Sequence, residues 1–214
     1  MGKVVEVVER GGVALIPSFA SGRGQDILKI LWDSGLDLNV HYDGMGKSIS
    51  KIWLEHPEYL SNASDFSATF NWSKRVSSKS DRKRALDADV IVTTSGMLDG
   101  GPALWYLNRL RLDERSAVLM TGYQAEGSGG RSLLESKGLP IFGRRAEVNC
   151  EVIQFDLSNH AGHKDLVEFA AATKAKHVII FHSDPETRPA LATALEENGH
   201  TVHCPINGES IHIE

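Results

Sequence analysis

Residues 155–186 have the sequence FDLSNHAGHKDLVEFAAATKAKHVIIFHSDPE, which continues one strand and then repeats a pattern of apolar strand, polar turn and helix. The first strand, Val152 to Leu157, leads to a turn that contains His160. The second strand, His177 to Phe181, leads to a turn that contains His182. Because ligands bind at the carboxyl ends of strands in open α/β sheets, the pattern predicts a ligand site with two histidines. The competing interpretation is a pair of helix-capping turns that contain histidine by coincidence.

The composition is that of an ordinary soluble globular protein. The chain has 214 residues, of which 41% are hydrophobic and 24% charged, so it is long enough to bury a core in one large domain or two small ones. The net charge of −5 excludes a global basic field, and any contact with RNA or DNA must therefore be local.

The cysteines and the first residues bear on the cellular compartment. Cys150 and Cys204 are far apart and form no C-x-x-C pair, which is typical of reduced thiols in a cytoplasmic protein. The opening segment, residues 1–9, is too short and too acidic for a signal peptide or a membrane span. We therefore expect a soluble cytoplasmic protein.

Strands alternate with helices along most of the chain, which predicts parallel α/β sheets. The segment 55–80 is less regular, and we expect short helical turns and loops there. A hairpin or two short strands are expected between Ile141 and Phe155. The remaining strands are predicted at Val13 to Pro17, Leu38 to Tyr42, Val90 to Thr94, Ala117 to Thr121, Thr201 to His203 and Ser210 to Ile213.

Five of the predicted strands lead into small or polar residues and then a helix. Glycine lets backbone N–H groups approach a ligand, and helix N-termini favour anions, so such loops suit a phosphate backbone. The alternative is that tight turns in α/β proteins need glycine in any case. No loop has the Walker or the G-x-G-x-x-G spacing, which disfavours a nucleotide-binding switch.

Five sequence blocks carry a resemblance to a known family. They are VALIPSFASGRGQDIL (13–28), VIVTTSGMLDGGPALWYL (90–107), VLMTGYQAEGSGGRSL (118–133), DLSNHAGHKDLVEF (156–169) and VIIFHSDPETRPAL (178–191). Their order and wording resemble the β-CASP subgroup of metallo-β-lactamase-fold nucleases, in particular the RNA 3′-end processing nucleases of the cleavage-and-polyadenylation-specificity type. The resemblance implies a Rossmann-like, parallel-sheet β-CASP domain over residues 1–155. It also implies that residues 156–214 are the returning carboxyl-terminal part of a metallo-β-lactamase αββα fold.

The resemblance further implies metal-dependent hydrolysis of RNA phosphodiesters, with two zinc ions bound between the two domains. His182 matches the zinc-ligating histidine of the family's motif C. His160 matches the motif B histidine, which lies beside the scissile phosphate and is proposed to protonate the leaving oxygen. Imidazole suits both roles, because it is a zinc ligand and a proton donor near neutral pH.

Other residues match loops that line the RNA cleft of the family. Arg23, Ser95, Gly96 and Met97 are expected to contact the RNA backbone. His163 stands where relatives carry Asp or Arg; the default interpretation is a surface histidine in the first turn of a helix, and a phosphate contact is the alternative.

The departures from the family are as informative as the match. The main metal motif, H-x-H-x-D-H, does not occur in these 214 residues, and a catalytic zinc site needs three protein ligands. Of the other histidines, His200 and His203 should point to opposite faces of a strand. The rest are expected to be isolated structural or solvated side chains; they are His41, His56, His177 and His212. The chain therefore looks like the carboxyl-terminal half of a nuclease, and alone it is expected neither to hold two zinc ions nor to cut RNA.

Two alternatives stay open. The chain could instead be a non-catalytic module that binds RNA or docks a partner, or Met1 could differ from the biological start, as in a truncated gene or an expressed fragment. The expected partners are RNA, the missing amino-terminal metallo-β-lactamase half and, through the predicted edge strand Ser210 to Ile213, a second copy in a homodimer. Residues after about 157 should expose apolar surface and favour association.

Overall fold

The chain divides into two compact units, residues 1–157 and 158–214, and the computed structural model describes residues 1–157 and 160–213. The helices are α1 Gly2–Glu9, α2 Arg23–Asp33, α3 Gly46–Glu55, α4 Ala63–Trp72, α5 Lys79–Arg84, α6 Gly101–Leu110, α7 Gly129–Ser136, α8 His163–Thr173 and α9 Arg188–Glu197. The strands are β1 Ala14–Pro17, β2 Val40–Asp43, β3 Lys74–Arg75, β4 Val90–Thr93, β5 Ala117–Met120, β6 Gly138–Ile141, β7 Arg144–Glu147, β8 Glu151–Gln154, β9 His177–Ile179 and β10 Thr201–His203.

The first unit is built on a six-stranded sheet in the order β3-β2-β4-β1-β5-β8. Every pairing in this sheet is parallel, which confirms the predicted α/β class. The central strands are apolar at consecutive positions because helices cover both faces of the sheet. Leu15 packs in a cluster with α6 and α7, whereas its neighbour Ile16 packs in a cluster with α1, α2 and α4.

This alternation places α2 and α6 on opposite faces of the sheet. The two helices follow β1 and β4, which are adjacent and in register from Ala14 opposite Val90 to Pro17 opposite Thr93. Two neighbouring strands thus send their chains to opposite faces, which defines a topological switch point, where open α/β sheets bind ligands.

Two sequence-based expectations need correction, and a third is made specific. Segment 55–80 contains a ten-residue helix, α4, which Asn62 caps by accepting a hydrogen bond from the backbone N–H of Asp65 at 3.1 Å. Between Ile141 and Phe155 the structure has two short strands, which is one of the two expected forms: β7 pairs with the preceding β6 in a hairpin, and β8 joins the large sheet. Residues 210–213 do not form a strand, because alternation over four residues is not sufficient without a neighbouring strand to pair with.

The second unit has a two-stranded parallel sheet, β9 and β10, with α8 and α9 packed near it. Ala170, Ile180 and Leu195 form its buried cluster. Large apolar side chains in this unit are exposed, among them Phe169 at 71% and Phe181 at 84%. Exposed apolar surface after residue 157 is therefore present, as the sequence predicts. Across residues 1–157 and 160–213, every helix is too short or too polar to cross a lipid bilayer.

Candidate functional site

The switch point of the first unit brings together loops that the sequence shows only as separate motifs. The loop after β1 begins with Ser18, whose backbone N–H donates to the carbonyl oxygen of Thr93 at 2.8 Å. Thr93 is the last residue of β4, and the predicted contact residues Ser95, Gly96 and Met97 come after Thr94. The two loops therefore leave the same edge of the sheet side by side.

A third loop, after β5, is bonded to the loop after β4. The side-chain amide of Gln124 donates to the carbonyl oxygens of Gly96 and Gly122, both at 3.2 Å. The backbone N–H of Gly130 donates to the carbonyl oxygen of Met97 at 2.7 Å. Gln124 is buried, and sequence reasoning assigned it no role. In the sequence, Gln124 is distinguished only as a polar residue within a glycine-rich loop.

Arg23 is the first residue of α2, at the end of the loop after β1. Its side chain is 11% exposed, and its Nη1 atom lies 3.7 Å from the carboxylate of Asp26. The structure therefore places all four predicted RNA-contact residues of the first unit at the carboxyl edge of the sheet. Contact with RNA remains a prediction for each of them.

A buried charge cluster, which the sequence did not reveal, lies at the end of β2. The carboxylate of Asp43 is 1% exposed and accepts from Arg82 Nε at 2.7 Å, Lys47 Nζ at 3.2 Å and Tyr106 Oη at 3.0 Å. Burial raises the pKa of Asp43, but its hydrogen bonds to Arg82 and the backbone N–H of Gly44, with the nearby cations, hold it below its ordinary value. Burial and the Asp43 carboxylate raise the pKa of Tyr106, which keeps its hydroxyl as the donor.

The Asp43 cluster is connected to the switch point through the turn that follows β2. The residue after Asp43 is Gly44, at φ +89°, where a Cβ would lie 2.1 Å from the Thr94 hydroxyl oxygen. The same hydroxyl accepts from the backbone N–H of Met45 at 3.2 Å. Asp43 thus fixes a turn that touches Thr94, the residue before Ser95.

In the second unit, His160 and His182 line the same open concavity of about 650 Å³, between α8 and the end of β9. Both side chains are exposed. His182 has a φ of +57°, a left-handed conformation that residues other than glycine adopt rarely and often at functional positions. The two histidines that the sequence singles out therefore lie on one groove. Ser158 and Asn159, in the turn before His160, lie outside the described residues.

His163 is the first residue of α8 and is exposed. The helix start is closed by the carboxylate of Asp165, which accepts from the backbone N–H of Gly162 at 2.9 Å. His163 does not take part in this hydrogen bond. Its side chain is exposed to solvent, where the imidazole could reach a phosphate. That contact stays a prediction.

One expectation about the remaining histidines is wrong. His177 is not isolated, because its Nδ1 atom lies 3.1 Å from Nε2 of His203 on the neighbouring strand. The parallel pairing of β9 with β10 places these side chains on the same face. His200 points elsewhere and donates from Nδ1 to the carbonyl oxygen of Ala175 at 2.6 Å.

The side chains present do not fit a complete zinc site. Within residues 1–157 and 160–213, no three or more His, Cys, Asp or Glu side chains are grouped closely enough to hold a metal ion. His160 and His182 share a groove but bring no third ligand, and a catalytic zinc site takes three. Metal binding at this groove would therefore need ligands from outside the described residues.

Comparison with protein families gives two matches, which cover successive parts of the chain. Residues 26–133 match the Beta-Casp domain. Residues 145–205 match the Zn-dependent metallo-hydrolase RNA specificity domain. The first match contains the loops after β4 and β5, and the second contains His160, His163 and His182.

Curated relatives from archaea are similar over nearly the whole chain. The probable RNase MJ4 of Methanocaldococcus jannaschii is 35% identical over 216 residues, which cover 99% of this chain and 50% of the relative. RNase aCSPSF2 of Saccharolobus solfataricus is 35% identical over 212 residues, covering 98% and 43% respectively. The transcription termination factor FttA of M. jannaschii is 34% identical over 205 residues, covering 85% and 32%. The chain thus spans half or less of the length of these relatives.

Proposed function

Because the chain belongs to the β-CASP family of metallo-β-lactamase-fold ribonucleases, we propose that it supplies the RNA-binding loops and part of the active site of a metal-dependent ribonuclease. The observation that carries this proposal is the meeting of three glycine-containing loops at the switch point of the first unit. Glycine lets the backbone N–H groups of such loops approach phosphate oxygens closely. The substrate is single-stranded RNA, and the reaction is hydrolysis of its phosphodiester bonds.

The two histidines of the groove have separate roles in this proposal. His182 is one ligand of a zinc site, and His160 donates a proton to the leaving oxygen. Support comes from their shared groove, their exposure and the match to the RNA specificity domain. The remaining ligands, for two zinc ions, come from an amino-terminal metallo-β-lactamase half outside this sequence. The chain alone therefore holds no stable pair of zinc ions and does not cut RNA.

RNA binding by the chain is tested by titrating a labelled single-stranded RNA at several salt concentrations. Affinity should fall steeply as salt rises, because bound phosphates release counterions. Arg23→Ala should weaken binding and reduce the salt slope by about one. Arg115→Ala is the matched control, because Arg115 precedes β5 at the opposite edge of the sheet. An absence of binding, or an Arg23→Ala variant that binds like the wild type, would refute this function.

The zinc and hydrolysis part of the proposal needs two measurements. Elemental analysis of the purified chain should find fewer than two zinc ions per chain, and two tightly bound ions would contradict the proposed division of the site. A longer polypeptide that carries an in-frame H-x-H-x-D-H motif before this sequence should cut RNA. His182→Ala should lower its zinc content, and His160→Ala should slow cleavage while the zinc content stays unchanged.

A second candidate function is a non-catalytic module that binds RNA or docks a partner. It is favoured by the exposed apolar side chains of the second unit, including Phe169 and Phe181. The longer polypeptide separates the two functions, because a non-catalytic module would bind RNA there without cutting it. A homodimer and a cytoplasmic location belong to these proposals, although residues 210–213 do not supply the edge strand expected for a dimer.

A further inference from the structure

Phe19 occupies the switch point and has no role in the functions proposed above. It follows Ser18 in the loop after β1, and its side chain is 43% exposed. Single exposed apolar residues are common on protein surfaces and need no explanation by themselves. Phe19, however, lies where three loops with a proposed phosphate-binding role meet, so its contacts bear on whether it binds the same ligand.

The backbone of Phe19 is held on both sides. The preceding residue, Ser18, is bonded through its N–H to Thr93 at 2.8 Å. The carbonyl oxygen of Phe19 accepts from the backbone N–H of Gly24, in the first turn of α2, at 3.1 Å. The ring is therefore presented by a fixed loop, which lowers the entropic cost of binding against it.

Two glycines from the neighbouring loops are close to the ring. A Cβ on Gly96 would lie 3.4 Å from Cδ2 of Phe19 and 3.0 Å from its backbone nitrogen. A Cβ on Gly122 would lie 3.7 Å from Cε2 of the same ring. The ring belongs to the loop from β1 and lies beside the loops from β4 and β5. A Cβ at either glycine would be in van der Waals contact with the ring, so glycine at both positions keeps these sides of the ring uncovered.

We infer that Phe19 is a stacking platform for one base of a single-stranded RNA whose phosphates contact the surrounding loops. The inference rests on the proposed function and adds the chemistry by which the base is held. Stacking on an aromatic face tolerates any base, because every base has a π-face. Tyr123, which follows Gly122 and is 57% exposed, is the nearest candidate in sequence for a second base.

The test compares variants of the 214-residue chain by fluorescence anisotropy with a labelled single-stranded RNA. Phe19→Leu keeps an apolar side chain and removes the aromatic face, so binding should weaken by about tenfold. Its salt slope should stay that of the wild type, because the phosphate contacts are unchanged. Phe19→Trp should bind at least as tightly as the wild type. Phe142→Leu is the control, since Phe142 is 69% exposed at the tip of the β6–β7 hairpin.

A second RNA separates stacking from a structural role of Phe19. An oligonucleotide of the same length with abasic sugars should bind the wild type about tenfold more weakly than normal RNA, and Phe19→Leu should lose this discrimination. Equal affinities of wild type and Phe19→Leu for normal RNA, with a steep salt slope in both, would overturn the inference and leave the proposed function standing. Failure of the wild type to bind any RNA would overturn the proposed function, and this inference with it.

Discussion

Replacing Asp43 by Asn should destabilise the first unit more than any change to a surface ion pair. The substitution keeps the shape of the side chain and removes its charge. The single amide oxygen of Asn can accept either from the backbone N–H of Gly44, which bonds to Oδ1 of Asp43, or from the hydroxyl of Tyr106, which bonds to Oδ2. Its NH₂ group takes the place of the other oxygen and faces Arg82, which can only donate. A cation that was paired with a buried carboxylate is left without its partner.

The magnitude follows from burial. Removing one partner of a fully buried pair costs about 3–5 kcal/mol. The Asp43 carboxylate is 1% exposed, whereas the Lys47 and Arg82 side chains are 19% and 33% exposed and can recover part of their hydration. We therefore expect a loss near the lower limit, about 3 kcal/mol. Asp33→Asn, which breaks the exposed Lys29–Asp33 pair, should leave the stability almost unchanged, because water screens that pair.

Urea unfolding followed by tryptophan fluorescence measures this unit selectively. The four tryptophans of the chain are Trp32, Trp53, Trp72 and Trp105, and all of them lie in residues 1–157. With an m-value of about 2 kcal/mol/M, the midpoint for Asp43→Asn should fall by about 1.5 M. A fall no larger than that of Asp33→Asn would refute the reasoning, because the carboxylate would then contribute no more than a surface charge.

The pH dependence gives an independent check on Asp43. Its pKa in the folded protein lies below the ordinary value of 3.8, so the unfolded chain binds the proton more readily. The advantage of the wild type over Asp43→Asn should be complete above that ordinary value. It should shrink as the pH falls through the lowered pKa of the folded state. An advantage that stays constant down to pH 2 would mean that packing, and not charge, stabilises the site.

Three further predictions concern packing, thiol reactivity and association. Gly12→Ala should unfold the first unit at lower urea than Gly2→Ala, because a Cβ at Gly12 would lie 1.8 Å from a backbone carbonyl oxygen before β5, and equal midpoints would contradict this. Burial raises the pKa of Cys150 to about 11, so mass spectrometry after iodoacetamide treatment at pH 8 should find one adduct, on the exposed Cys204, and not two. Phe169→Glu should reduce self-association in sedimentation, and an unchanged profile would show that the exposed apolar side chains do not drive it.

The sequence predicts the sheet better than it predicts the connections. The run Val90 to Val92 is apolar at every position because both faces of the sheet are covered, and this pattern can be recognised without knowing the neighbouring strands. Helix α4 was missed because its stabilising contacts are distant in sequence: Trp72 packs edge-on against Trp32 at 5.6 Å, and Phe66 packs against Trp53 at 5.7 Å. Such contacts do not appear as local periodicity.

For the candidate site as well, the positions of the loops are predictable from the sequence and the long-range contacts are not. Strand-end loops can be located from the order of residues, so Ser95 and His182 were predictable as positions. The side chains that hold the loops in place were not predictable. Gln124 is bonded to Gly96, 28 residues earlier, as well as to the nearby Gly122, and Asp43 is bonded to Arg82, 39 residues later. The His177–His203 contact was missed for the same reason, since it requires knowing that β9 and β10 are neighbours in parallel register.

The small core of the second unit has a consequence for how the chain opens. Three buried apolar residues form its cluster in the described part of the chain, whereas the clusters of the first unit are several times larger. Amide protons of α8 and β9 should therefore exchange with deuterium long before those of β1 and β4. The histidines of the groove are carried by the part of the molecule with the lower opening free energy. A surface that covers this unit would raise that free energy, so assembly and the ordering of His160 and His182 are thermodynamically linked.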